Sequence, residues 1–236
     1  MNNPFEEFRD YAAPPERKIP LDQILEAHAS VMSRLEDGYK LLVSNEAEEG
    51  AWQPDADSIV RVYEHAEGIV AEIEFEALDI EAFCLHATQS SDPGFFLMGP
   101  LGLYLSALCN ACTSTEIRMN LGTRGTRIPL LGYRLRTGLS LTVEGDLGDL
   151  VGISLDGGHL EVRGNVGRYL GAGMTKGRTD MKGEAGRFIG EQMIGGEIHL
   201  FGKIGGMGKP LGGEIYHRSR RVYPSEASGA SAETGS

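Results

Sequence analysis

Gly145, Gly164, Gly183 and Gly202 stand 19 residues apart, and Gly148, Gly167, Gly186 and Gly205 keep the same interval three positions later. Gly152, Gly171 and Gly190 hold the period too, as do Gly158, Gly177 and Gly196, while Gly213 comes two residues early because the last unit is shortened. A fixed period of this length is the signature of a stacked repeat, in which each unit is too small to bury its own apolar face and must pack on its neighbours. Upstream, Gly132 and Gly138 each precede their counterparts by 20 residues, so a degenerate first turn begins near Arg118.

Stacking the units one above another produces apolar columns. Leu147, Val166, Ala185 and Ile204 form one, Val151, Leu170 and Ile189 a second, and Leu155, Met174, Met193 and Leu211 a third. Leu141, Leu160, Thr179, Ile198 and Ile215 form a fourth, and Val143, Val162, Met181, Leu200 and His217 a fifth. Between these last two lie Thr142, Glu161, Asp180, His199 and Tyr216, so the segment alternates inside and outside with the period of a strand. Short strands joined by glycine corners predict a parallel β-solenoid, with glycine at the corners because a tight turn asks for positive φ.

The same columns exclude two other uses of glycine. A disordered tract does not keep apolar residues in register from one unit to the next. A phosphate loop is excluded by spacing: "GAGMTKG" is not a dinucleotide fingerprint, and "GMGKP" puts proline where a P-loop needs Ser or Thr.

Composition changes near the middle of the chain. Only 3 of the 33 glycines precede Gly94, and up to Asp92 there are 21 acidic residues against 6 basic ones, out of a net charge of −12. An acidic first segment opposes nucleic acid, which attracts Lys and Arg to its phosphates. This segment, residues 1–117, reads as an acidic mixed α/β region. Leu21, Ile24, Leu25, His28, Val31, Met32 and Leu35 recur at helical spacing before Gly38, which would cap the helix. In "SIVRVYEHAEGIVAEIEFEA", Ile69, Ala71, Ile73 and Phe75 alternate with Glu72, Glu74 and Glu76, predicting a hairpin around Gly68. "GPLGLYLSALCNAC" reads as a short helix. No apolar run reaches the roughly 20 residues of a membrane helix and the N-terminus lacks a signal-peptide layout, so the expectation is a cytoplasmic protein without a membrane partner.

Conventional chemistry is sparse. "CNAC" places Cys109 and Cys112 at C-x-x-C spacing, with Cys84 and His86 upstream in "CLHA". These four could make a zinc site or a redox pair only if the chain folded them together, and the reading adopted is that the cysteines are small buried apolar residues and the chain holds no metal. No serine or cysteine arrangement for nucleophilic catalysis is present, so no catalytic residue is assigned. The alternative is a stand-alone enzyme or redox protein with its site near Cys109 and Cys112, at the junction with the solenoid. After the repeat, residues 218–236 form a tail whose end, "ASGASAETGS", is composed like a disordered segment. Before it, Tyr216, Arg218, Arg220, Arg221 and Tyr223 make an aromatic and arginine cluster suited either to a protein contact or to a local cap in which Val222 and Tyr223 fold back.

The pattern "GDLGDLVG…GGHLEVRGNVGRYLGAGM…MKGEAGRFIGEQMIGGEIHLFG" resembles the GXGXG domain, the β-helix at the C-terminal end of the glutamate synthase large subunit and in the β-helical subunit of formylmethanofuran dehydrogenase. The resemblance spans residues 118–217, and the N-terminal region carries none. It implies a right-handed parallel β-helix in a structural role, as a non-catalytic subunit of an oxidoreductase complex. It further implies that flavin, iron–sulfur or metallopterin cofactors belong to the partner subunits, with none on this chain.

Overall fold

The computed structural model describes residues 21–49, 55–90, 100–122 and 127–224, in which four helices precede a parallel β-solenoid. The proposed disordered tail end and the residues before Leu21 lie outside the described residues. Helix α1 (Leu21–Glu49) buries Leu35, Tyr39 and Leu42 on one face. It runs through Gly38 instead of ending there, which corrects the expected cap. Gly38 serves close packing: a Cβ at this position would lie 2.6 Å from the Tyr104 hydroxyl, which donates to Leu35 O at 2.9 Å.

The hairpin around Gly68 is also corrected. Residues Ala56–Val70 form helix α2, started by Asp55, whose carboxylate accepts from Ser58 N at 3.0 Å. Ile59, Val62, Tyr63, Ala66 and Val70 are buried at helical spacing, so the longer 3.6-residue pattern prevails over the short alternation that follows it. Glu76 N donates to Asp79 Oδ2 at 2.9 Å where helix α3 (Ala77–Gln89) begins. Up to Ser90 the described part of the acidic region therefore carries helices and no strand. Helix α4 (Leu101–Ala111), over the stretch read as a short helix, is buried at every position from Leu101 to Cys109. Around Tyr104, the Tyr39 and Phe83 rings pack with centroids 5.5 and 5.7 Å away.

Seven strands follow in one sheet in chain order: β1 (Glu116–Asn120), β2 (Ser140–Glu144), β3 (Asp156–Arg163), β4 (Lys176–Met181), β5 (Glu197–Leu200), β6 (Glu214–His217) and β7 (Arg220–Tyr223). The first six pair in parallel, and the register joins Leu141, Leu160, Thr179, Ile198 and Ile215 as the sequence columns require. Ile117 and Met119 extend the two strand columns back onto β1, so the sheet begins just before Arg118. Thr179 sits in the apolar column fully buried, and its hydroxyl has no hydrogen-bond partner among the described residues.

Glycine has two separate duties here, and the sequence suggested only one. Gly152, Gly171 and Gly190 have φ of 66, 64 and 65°, as corners demand. Gly164, Gly183 and Gly202 are different: a Cβ on each would lie 2.0, 2.1 and 2.0 Å from the carbonyl oxygen of the glycine one turn below. That column is glycine because the backbones of successive turns nearly touch. Conversely, one positive-φ corner carries no glycine through Leu130, Leu150, Tyr169 and Phe188, at 64, 63, 65 and 63°.

The ends of the solenoid are closed differently. Within the stack, Gly152 N donates at 2.8 Å to Leu131 O, a carbonyl of the turn before. Gly132, its counterpart in the first turn, has no such turn beneath it, and Ser106 of α4 supplies the acceptor: its Oγ takes bonds from Gly132 N at 2.9 Å and Tyr133 N at 3.2 Å. Gly102 lets the helix come this close, because a Cβ there would lie 1.8 Å from Pro129 O. At the far end, Arg218 and Ser219 (φ 50 and 66°) form a two-residue turn, and β7 returns antiparallel on β6 with Val222 and Tyr223 half-buried against the core. One column is corrected here. Leu211 N bonds to Met193 O, as Ile194 N bonds to Met174 O, so the shortened unit aligns Leu211 with Ile194 and leaves both exposed.

Candidate functional site

The C-terminal end of α4 meets the solenoid at a cleft of about 700 Å³ lined by residues of α2, α4 and three successive turns. Asn110, between the two cysteines of "CNAC", organises it. Its Nδ2 donates to the Tyr63 hydroxyl at 2.7 Å and to Arg134 O at 3.2 Å, while its Oδ1 accepts from Arg136 N at 3.0 Å. Arg136 in turn closes the helix: Nε donates to Asn110 O at 3.1 Å and Nη2 to Cys112 O at 2.7 Å and Ser114 O at 3.2 Å. A guanidinium over the last carbonyls satisfies acceptors that have no partner in the helix and opposes its negative end.

The cleft walls differ in charge. On the helical wall, Tyr63 is largely buried, which pushes its phenol well above the ordinary range, and Glu67 beside it acts in the same direction. Tyr63 also meets Tyr133 edge to face with ring centroids 4.8 Å apart. On the solenoid wall, the Arg134 guanidinium lies 5.2 Å above the Tyr133 ring. Asp156 accepts from Thr175 Oγ1 at 2.5 Å and pairs with Lys176 at 3.6 Å, and these two, in that order, hold its carboxyl below the ordinary value. Arg134 and Ser154 occupy equivalent left-handed corners with φ of 49 and 52°, which turns both side chains out of the apolar column.

The cysteine motif does not converge on a site. Cys84, Cys109 and Cys112 are free and buried in the core, where burial pushes the Cys84 thiol up to about 12 and that of Cys109 higher still. His86, two residues beyond Cys84, faces the other way and lies 3.6 Å from Glu36. Among the described residues no group of three or more His, Cys, Asp and Glu side chains is placed to hold a metal ion.

The outer flank of the solenoid neutralises itself. Asp180, only 4% exposed, is held by Arg178 Nε and Nη2 at 2.9 Å each and lies 2.7 Å from His159 Nε2. Burial alone would push its carboxyl up, but the hydrogen bonds from Arg178 and His159 outweigh burial and hold it below the ordinary range. His199 stacks on Tyr216 at 4.6 Å and lies 2.9 Å from Glu197. Of the terminal cluster, Tyr216 donates to Glu214, Arg221 approaches Glu214 at 3.4 Å, and Tyr223 joins the returning strand, leaving Arg218 and Arg220 exposed.

Sequence reasoning named Cys109 and Cys112 but passed over Asn110, Tyr63, Arg134 and Arg136, which the fold brings together from three elements. One signal was present: Asn110 is an amide near the end of a helix that is apolar apart from Ser106 and the Tyr104 hydroxyl. No helix among the described residues is long and apolar enough to cross a membrane. Searches against protein-family models, curated proteins and solved structures found no match for the chain.

Proposed function

We propose that this chain is a non-catalytic, β-helical subunit of a multi-subunit oxidoreductase complex, joined to its partner subunits through the distal end of the solenoid. The observation that carries this reading is the distribution of apolar surface. Among the described residues, the large exposed hydrophobic side chains of the solenoid are Phe188, Ile194, Phe201 and Leu211, all in its last two turns. The first turn, by contrast, is covered by α4. Exposed aliphatic and aromatic side chains beside Arg218 and Arg220 have the composition of a protein contact. The partner surface that fits is apolar at its centre and acidic at its rim. The resemblance to the GXGXG domain supplies the kind of complex, with flavin, iron–sulfur or metallopterin groups in the partners. The three buried thiols and the self-neutralised flank are consistent with a scaffold.

The test is purification of the tagged chain from its native cells, with identification of co-eluting proteins and of their cofactors by absorbance and metal analysis. Stable partners that carry one of these redox groups are expected. A variant with Ile194→Ser, Leu211→Ser and Arg220→Ser is expected to melt like the parent and to lose those partners. Oxidoreductase turnover by the chain alone, partners without a redox group, or unchanged co-elution of the variant would overturn the proposal.

A further inference from the structure

Opposite charges pair at several places on this surface: Arg163 reaches Glu161 at 2.8 Å, Arg178 reaches Asp180 at 2.9 Å, and Arg168 reaches Asp149 at 3.3 Å. The cleft beside α4 brings two charges of opposite sign into one concave site without pairing them. Arg134 on the solenoid wall and Glu67 on the helical wall both line it, and neither forms an ion pair within 4 Å among the described residues. Arg134 is held by its carbonyl on Asn110 and by its guanidinium over the Tyr133 ring, and it lines the cleft. Asp156, the other carboxylate of the lining, is already engaged by Thr175 and Lys176. What remains is a cationic group on one wall and an anionic group on the other, with the Ser154 hydroxyl between the turns and the neutral Tyr63 phenol beside Glu67.

From this we infer that the cleft binds a small zwitterion of the α-amino acid class, its carboxylate on Arg134 and its ammonium on Glu67. A guanidinium accepts a carboxylate through two parallel N–H donors, and a carboxylate binds an ammonium by charge-assisted hydrogen bonds, so one ligand satisfies both walls. A simple anion would engage Arg134 alone, and a simple cation Glu67 alone. The volume of about 700 Å³ lies within the range of small-molecule sites and leaves room for a polar side chain near Ser154 and Thr175. This inference does not depend on the docking reading, since the two groups that would hold the ligand, Glu67 on α2 and Arg134 on the first turn, lie away from Leu211 on the last turn.

The experiment is isothermal titration of the full chain at neutral pH with L-serine and L-asparagine, and with propionate and n-propylamine as probes of a single charge. At least one amino acid is expected to bind about tenfold more tightly than either single-charge probe, and Arg134→Gln and Glu67→Gln are each expected to weaken it by a similar factor. Both residues are on the surface, and thermal melting of each variant verifies that it is folded; should one fail to fold, the other decides. Absence of amino-acid binding at millimolar concentration, equal binding of propionate or propylamine, or binding unchanged in a folded variant would overturn the inference.

Discussion

Thr179 is the weak position of the inner column, because a hydroxyl is buried there between Leu160 and Ile198 with no partner among the described residues. Thr179→Val keeps the shape and removes the unsatisfied group, so it is expected to stabilise by about 1 kcal/mol, read from the midpoint of denaturant unfolding. A lower midpoint would show that the hydroxyl has a bonded role. Two glycines give an opposed pair of outcomes. Gly183→Ala drives a Cβ to 2.1 Å from Gly164 O and is expected to destabilise by roughly 1–3 kcal/mol or more. Gly68→Ala, in the exposed interior of α2 with nothing within 4 Å of the new methyl, is expected to stabilise by about 0.5–1 kcal/mol. Asp180 yields a dependence on pH. Its folded carboxyl is held low, so its contribution is present above the unfolded value of about 3.9 and disappears as pH falls through the depressed folded value. Asp180→Asn is therefore expected to lower stability at pH 7, with the difference from the parent closing on acidification. A gap that widened in acid would contradict the assignment. These details were hidden in the sequence because it records which residues recur, not the distance between recurring backbones: the period found Gly183, but not that Gly164 O stands where its side chain would be.

Among the elements, α4 has the largest structural consequence, because it acts as the turn that the solenoid lacks at its start. Ser106→Ala would leave Gly132 N and Tyr133 N without their acceptor in a buried place, an expected cost of about 1–3 kcal/mol. Hydrogen exchange would locate the loss: protection should fall at Gly132 and Tyr133 and persist in β4 and β5. Equal loss along the whole solenoid would mean that α4 holds the fold globally. The sheet was legible residue by residue, since parallel stacking at a constant interval converts register into arithmetic. The arithmetic failed only where the interval changed, at Leu211. The helical region was less legible because its partners are not periodic. Six residues of alternation after Gly68 imitate a strand, while the buried face of α2 is distributed from Ile59 to Val70 and is recognisable only against α1 and α4. The cleft was illegible for the same reason, since Tyr63, Asn110 and Arg134 are neighbours only after α4 has docked.

For the molecule as a whole, the two ends of the solenoid are unequal. One is sealed by a buried helix and the other by a four-residue strand whose outer edge bears Arg220 and Arg221. In a stack where each turn contacts only its neighbours, stability is carried locally and declines toward the less covered end. Hydrogen exchange in the isolated chain is therefore expected to be slowest in β2 to β4 and fastest in β6 and β7. Uniform protection from end to end would indicate a single cooperative unit. The close approach of Gly164, Gly183 and Gly202 to the backbone below has one more effect. Because every turn rests directly on the last, the distance from the junction cleft to the distal surface is quantised, each turn adding about 4.8 Å. The solenoid is a ruler, and inserting or deleting one whole 19-residue unit would move whatever binds its far end by one graduation while leaving the cleft untouched.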